Sequence, residues 1–137
     1  MDRIVECKIN GETRYLNYSI AVMFEMADKF GTIQKAFERM AQQGKDGFET
    51  TKWFAIACAN DGELCRRQQG YEQMPLLTSK DITMRISPAE YDQLQAAIID
   101  ATTRGYKREV VDEDEEVDLG LQELSEKKQE PGHPVED

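Results

Sequence analysis

The segment Thr50–Tyr71, with the sequence TTKWFAIACANDGELCRRQQGY, contains the most apolar run of the chain and its only tryptophan. At the spacing of an α-helix, two adjacent faces of this run are apolar. One face carries Trp53, Ile56 and Ala57, and the other carries Phe54 and Cys58. A helix that is apolar over so wide an arc has to be covered on more than one side. The segment therefore predicts a central helix around which the other elements pack.

The extent of this helix depends on Asn60-Asp61-Gly62, which in isolation is typical of a turn. Gly62 would cost a helix about 1 kcal/mol relative to alanine. The apolar register nevertheless continues beyond it, at Leu64 and Cys65. We predict one helix from Thr50 to about Gln69, with Gly62 as the candidate bend and residues 44–49 as the loop leading into it.

The N-terminal residues have the pattern of a β-hairpin. Residues Arg3–Ile9 alternate so that three apolar side chains share one face of a strand, namely Val5, Cys7 and Ile9. Asn10-Gly11 follows, and this dipeptide suits the positive φ angles of a two-residue type I′ turn. A return strand is expected over Arg14–Tyr18. Because an isolated hairpin is marginal in water, its apolar face should lie against helices.

Two helices are expected between the hairpin and the central segment. Ser19 can cap the first, and Gly31 can end it. Its apolar residues follow the i, i+3, i+4, i+7 pattern of a buried face: Ile20, Met23, Phe24, Ala27 and Phe30. Thr32 can cap the second, which should run to Gly44. Its expected core residues are Ile33, Ala36, Phe37, Met40 and Ala41.

Two more helices are expected after a connector at residues 71–77. Thr78 begins a short one through about Met84. Ser87-Pro88-Ala89-Glu90 begins the last, which Gly105 should close. Its expected apolar face consists of Tyr91, Leu94, Ile98 and Ala101. The predicted fold class is α+β, mostly α-helical, with an N-terminal β-hairpin packed on a helical bundle over residues 1–111.

The formal net charge of −10 is concentrated at the C-terminal end. From Asp112 onward there are 11 acidic and 2 basic side chains, whereas residues 1–111 are close to neutral. Residues 112–137 lack apolar periodicity and are predicted to form a flexible acidic tail. A near-neutral body without a basic stripe argues against nucleic-acid binding.

Side chains suited to catalysis are sparse. The only histidine, His133, lies in the acidic tail and is interpreted as solvent-exposed. The sequence contains neither a GxSxG nucleophile motif nor a glycine-rich phosphate loop. The acidic run 112–116 lacks the spacing of an EF-hand loop, so it predicts no metal site. We therefore expect a protein without enzymatic activity and without a cofactor.

The three cysteines, Cys7, Cys58 and Cys65, form no CxxC pair and are expected to be reduced, small core residues. The apolar runs are too short for a membrane span, and no secretory signal is expected. The apolar excess of the central helix instead suggests a protein-binding or self-association surface. The expected partner-binding residues are Trp53, Phe54, Ile56, Arg66 and Arg67. Both arginines have the alternative interpretation of helix C-terminal cations.

Three stretches resemble the tail assembly chaperones of long-tailed bacteriophages, especially those of Gram-positive hosts. They are ETRYLNYSIAVMFEMADKFG after the first strand, KWFAIACANDGELCRRQQGY in the centre, and LTSKDITMRISPAEYDQLQAAIIDATTRG near the end. The resemblance covers about residues 4–105. It lies in the order of elements and a diffuse pattern, not in a catalytic signature.

The resemblance implies a non-enzymatic assembly factor of the host cytoplasm that is absent from the mature virion. Its partner would be the tape measure protein, with the major tail protein as a second candidate, and it would self-associate. Members of the family are often also made in a longer, frameshifted form, for which Lys127-Lys128 marks a candidate site. Two alternatives remain open: a structural head–tail connector or tail protein of the virion, and a small acidic regulatory protein.

Overall fold

The computed structural model describes residues 3–107, which belong almost entirely to one compact unit, Met1–Gly105. The elements follow in the order β1 (Val5–Ile9), β2 (Glu12–Leu16), α1 (Ile20–Phe30), α2 (Ile33–Met40), α3 (Lys45–Gln68), α4 (Ser79–Arg85) and α5 (Pro88–Tyr106). The predicted α+β class, mostly helical with an N-terminal hairpin, is confirmed. The predicted acidic tail at residues 112–137, with its frameshift site, lies outside the described residues.

The two strands pair antiparallel, with Val5 opposite Leu16 and Ile9 opposite Glu12. Asn10 and Gly11 have φ angles of 57° and 79°, as the predicted type I′ turn requires. The alternating residues of β1 are buried as expected: Val5, Cys7 and Ile9. The tip of the hairpin is bound to the helices, since the Asn10 amide donates to the carbonyl of Asp81 (3.1 Å). The hairpin therefore covers the helical bundle.

The central helix α3 is confirmed, but it begins five residues earlier than Thr50, so the loop predicted at residues 44–49 is wrong. Thr50 and Thr51 do not cap the helix. Their hydroxyls donate back to the carbonyls of Asp46 and Gly47 (2.8 Å each), which is how threonine behaves inside a helix. Gly44, with φ of 92°, provides the actual start.

Gly62 lies within α3, which continues through it. A Cβ atom at Gly62 would overlap the carbonyl group of Tyr15. Strand β2 therefore crosses α3 with its backbone against the glycine. Just beyond the strand, the backbone N–H of Asn17 donates to the carbonyl of Cys58 (3.0 Å). The glycine permits a close backbone approach rather than a turn.

Helix α1 buries a different face from the one predicted. Val22 and Met26 point into the core, whereas Ile20 and Phe24 are 66% and 60% exposed. The N-cap Ser19 ties the start of the helix to α3, because its hydroxyl donates to the carboxylate of Asp61 (3.1 Å) and accepts from the N–H of Val22 (3.4 Å). The predicted core face is therefore wrong for Ile20, Phe24 and Ala27, whereas Met23 and Phe30 pack against the core as predicted.

The remaining helices begin where predicted. Thr32 caps α2, and Thr78 with Asp81 forms a capping box at α4. The predicted core residues of α5 that are buried are Leu94, Ile98 and Ala101. Helix α2 ends at Met40 rather than Gly44, which leaves Ala41 exposed. Helix α5 continues past Gly105, where a side chain would collide with Tyr18.

Candidate protein-interaction surface

Phe54, an expected partner-binding residue, is completely buried. Its ring is stacked on Phe30 at 5.8 Å between centroids, edge-on to Trp53 at 5.1 Å and tilted against Phe37 at 6.1 Å. Such aromatic pairs each stabilise a core by about 0.5–1.5 kcal/mol beyond the burial of their area. Phe54 is thus the centre of an aromatic cluster that joins α1, α2 and α3. The expectation that it lies on an open face is wrong.

Trp53 and Ile56 are only partly buried, on the side of α3 that faces away from the hairpin. Trp53 packs edge to face against Phe30 of α1, with 5.4 Å between the ring centroids. Leu64, further along the same helical face, is 48% exposed. These apolar residues share one stripe, here named the α3 strip: Trp53, Ile56, Ala57 and Leu64.

A second apolar stripe lies on α1 and consists of side chains that the sequence pattern assigned to the core. Ile20, Phe24 and Ala27 are exposed, and Met23 beside them is partly buried. The i, i+3, i+4, i+7 spacing places all four on one helical face, here named the α1 strip. Phe30, the last residue of α1, contacts Trp53 of the α3 strip, so the two strips lie on helices that touch. Together they form the α1–α3 apolar surface.

Arg66 and Arg67, the other expected partner-binding residues, are engaged within the protein. The guanidinium of Arg66 lies between the rings of Tyr15 and Tyr71, 4.0 and 4.2 Å from their centroids. Arg67 pairs with the carboxylate of Glu63 (2.9 Å) and donates to the carbonyl of Met74 (2.8 Å). The structure therefore uses both to hold the segment after α3. Neither presents a free guanidinium to a partner.

The extended connector at residues 71–78 is fastened by polar side chains whose role the sequence did not reveal. The amide of Asn60 exchanges two hydrogen bonds with the backbone of Leu77 (2.7 and 3.1 Å). Arg14 donates to the carbonyl of Pro75 (2.6 Å), and Glu63 accepts from the N–H of Met74 (2.7 Å). A signal was present in the sequence. Asn60, Glu63 and Arg67 are polar at i, i+3 and i+7, a spacing that places them on one face of the helix.

Glu63 makes the attachment of the connector sensitive to pH. Burial by itself raises the pKa of Glu63, but hydrogen bonds from Met74 and Arg67 outweigh it and lower the pKa below 4.5. A carboxylate with a lowered folded-state pKa stabilises the fold above its unfolded pKa, and this contribution is lost as the pH falls. We expect wild-type stability to fall below about pH 4.5 more steeply than that of Glu63→Gln, in urea unfolding series between neutral pH and about pH 3.

Glu72→Gln provides the matched control, because Glu72 is exposed in the same connector. It should keep the wild-type pH profile. Equal acid sensitivity in the wild type and Glu63→Gln would contradict the role assigned to Glu63.

An open cleft of about 560 Å³ lies between the α2–α3 corner, the end of α4 and the start of α5. Two of its polar side chains, Tyr91 and Gln95, make internal hydrogen bonds. Gln95 donates to the hydroxyl of Thr51 (3.0 Å) and to the carbonyl of Met40 (3.2 Å), and the Tyr91 hydroxyl donates to Thr51 (3.2 Å). Phe48 stacks on Tyr91 at 5.8 Å. The side chains of Gln95 and Tyr91 in this cleft are therefore already engaged in internal hydrogen bonds.

The cysteines have the character of core residues rather than reactive thiols. Burial, with a smaller effect of the Asp61 charge, raises the pKa of Cys58 to about 12. Burial, with a smaller effect of Glu90, raises the pKa of Cys7 to about 11. Both thiols stay protonated at neutral pH, and a thiol rather than a thiolate is a poor nucleophile and metal ligand. Cys65 is partly buried and, like the other two, unpaired.

Within residues 3–107, no group of three or more His, Cys, Asp or Glu side chains is arranged to hold a metal ion. No helix in this part of the chain combines the length and apolar character needed to cross a membrane. Comparison with known proteins gave no match to a family model, to a curated protein or to a solved structure.

Proposed function

We propose that the protein is a non-enzymatic tail assembly chaperone of a long-tailed bacteriophage. It would act in the host cytoplasm, where it binds the tape measure protein and keeps it soluble during assembly of the tail tube. The observation that carries this proposal is the α1–α3 apolar surface, on which Ile20, Phe24 and Leu64 are exposed by 66%, 60% and 48%. The resemblance of residues 4–105 to this family supplies the kind of partner.

The surface has the chemistry that such a partner requires. A long amphipathic helix that has not yet been enclosed by its tube exposes an apolar stripe and is prone to aggregate. Apolar strips on two helices that touch can accept the apolar face of a third helix. The charge of −9 at residues 112–137 would add electrostatic repulsion between complexes. Many copies along one tape measure chain would then keep it in solution.

Co-expression with a tape measure fragment tests the proposal. The wild-type protein should raise the soluble fraction of the fragment and be recovered bound to it. Phe24→Ser should weaken this binding about tenfold, the effect of losing one exposed aromatic anchor. Fragment solubility and pull-down yield are the measurements. Unchanged circular dichroism would show that the variant is folded.

Met84→Ser is the control, since Met84 is 74% exposed on α4, outside the α1–α3 apolar surface. It should protect the fragment as well as the wild type does. The proposal fails if the fragment is equally insoluble with and without the wild-type protein.

A further inference from the structure

Arg66 combines a fixed position with hydrogen-bond donors that the fold does not use. Its guanidinium lies between the rings of Tyr15 and Tyr71, 4.0 and 4.2 Å from their centroids. These three residues are here named the tyrosine–arginine stack. The rings cover the faces of the planar group and hold it in place. The N–H donors of a guanidinium lie in its plane, so the stacking leaves them unpaired at the edge.

No acceptor for these donors is found in residues 3–107. The Nε atom of Arg66 is buried and has no hydrogen-bond partner. The terminal nitrogens, Nη1 and Nη2, make no hydrogen bond either, and they are not buried. The neighbouring Arg67 instead pairs with the carboxylate of Glu63 at 2.9 Å. The Arg66 guanidinium is therefore held on its faces and open only along its terminal edge.

We propose that this terminal edge binds the carboxylate of an aspartate or glutamate side chain of a partner protein. The two oxygens of a carboxylate match the parallel N–H groups of a guanidinium edge, and such bidentate pairs are among the stronger hydrogen bonds of proteins. Because the rings of Tyr15 and Tyr71 already fix the guanidinium, little side-chain entropy is lost when the pair forms.

The charges around the stack favour a carboxylate over a phosphate group. Glu63 is close enough for its charge to interact with that of Arg66. Glu6 lies opposite Tyr15 in the hairpin, Glu72 lies in the connector, and both are exposed. These carboxylates offset part of the positive potential of Arg66, and they repel a dianion more strongly than a monoanion. A ligand with a single negative charge therefore fits best.

The open position of the stack suits a side chain that another protein delivers. Tyr71 is 53% exposed, whereas a small free ligand is normally enclosed by a pocket. Arg66 and Leu64 are two positions apart on α3, which places them about 200° apart around the helix. The stack thus faces away from the α3 strip. The site is independent of the α1–α3 apolar surface and of the proposed function.

NMR titration of the full chain with sodium acetate at pH 7 tests the carboxylate site. The N–H signals of Arg66 should shift and saturate, with half-saturation at about 10–100 mM, as expected for one charge-assisted bidentate contact. Sodium chloride at the same ionic strength should give no saturable shift, and sodium phosphate should bind no more tightly than acetate. An acetate response equal to that of chloride, or tighter binding of phosphate, would overturn the proposal.

Two blocked pentapeptides test whether the carboxylate can belong to a protein side chain. A peptide with one glutamate among alanines should shift the same Arg66 signals over the same concentration range as acetate. The same peptide with glutamine in place of glutamate should leave them unchanged. Binding of acetate without binding of the glutamate peptide would assign the site to free carboxylates and contradict the partner proposed here.

Arg66→Lys tests the planar edge, because it keeps the positive charge but removes the paired N–H groups. It should raise the half-saturation concentration for acetate at least tenfold, measured at the backbone N–H signal of Tyr71. Arg85→Lys is the matched control, since Arg85 is an exposed arginine of α4, and it should bind acetate as the wild type does. Equal acetate binding by the wild type and Arg66→Lys would contradict the role of the stack. The wild-type titrations decide the proposal even if a variant does not fold.

Discussion

Phe54→Ala should lower the free energy of unfolding by about 3–5 kcal/mol, the usual effect of truncating a fully buried phenylalanine. The side chain is completely buried and contacts three other aromatic rings, which belong to α1, α2 and α3 itself. Removing it leaves a cavity at the point where these helices meet. Chemical denaturation monitored by circular dichroism measures the loss.

Phe24→Ala is the matched control, since it truncates the same residue type on a side chain that is 60% exposed. Its effect on the free energy of unfolding should stay within about 0.5 kcal/mol. The pair also separates folding from binding. Phe54 contributes to the stability of the fold, whereas Phe24 is proposed to contribute to partner binding at the α1–α3 apolar surface. A loss of comparable size in both variants would contradict the assignment of Phe54 to the core and Phe24 to the surface.

The elements that local chemistry determines could be predicted from the sequence. Asn10-Gly11 has the φ angles that a two-residue hairpin needs, and the helix starts at Thr32 and Ser87 follow from capping. The central helix could be predicted from its apolar run. These features depend on neighbours in sequence. No knowledge of the tertiary contacts is needed for them.

The rotation of α1 could not be predicted in this way. Apolar residues occur on two of its faces, and periodicity alone does not say which one turns inward. The choice depends on tertiary contacts, such as that of Ser19 with Asp61, which lies 42 positions away in sequence. For the same reason, periodicity could not predict that the α1 strip is exposed. The more regular pattern predicts a core face that includes Ile20 and Phe24, although both of these side chains are open to solvent.

The burial of Trp53 and Phe54 could not be predicted from the sequence either. They are adjacent in sequence, and the apolar pattern predicts both as partner-binding residues. Consecutive residues of a helix lie about 100° apart, so only one can point directly into the core. Phe54 is enclosed by aromatic rings, and Trp53 stays at the margin beside Phe30. Deciding which of the two is enclosed required the positions of α1 and α2.

Gly62→Ala should destabilise the protein by about 3 kcal/mol or more, against the trend of helix propensity. Inside a helix, alanine is normally favoured over glycine by about 1 kcal/mol. At Gly62, however, the added methyl group would overlap the backbone of Tyr15, which is held in the hairpin and cannot move independently. Either β2 separates from α3 or the helix distorts, and overpacking against a fixed backbone is costly.

Ala96→Gly shows the ordinary trend, because Ala96 is exposed within α5. This control should lose about 1 kcal/mol. Glycine should thus give the more stable protein at position 62, and alanine at position 96. The close approach of β2 to Gly62 is the reason for this reversed preference. Urea unfolding of both variants measures the two differences. If Gly62→Ala were as stable as the wild type or more stable, the strand would not lie against this part of α3.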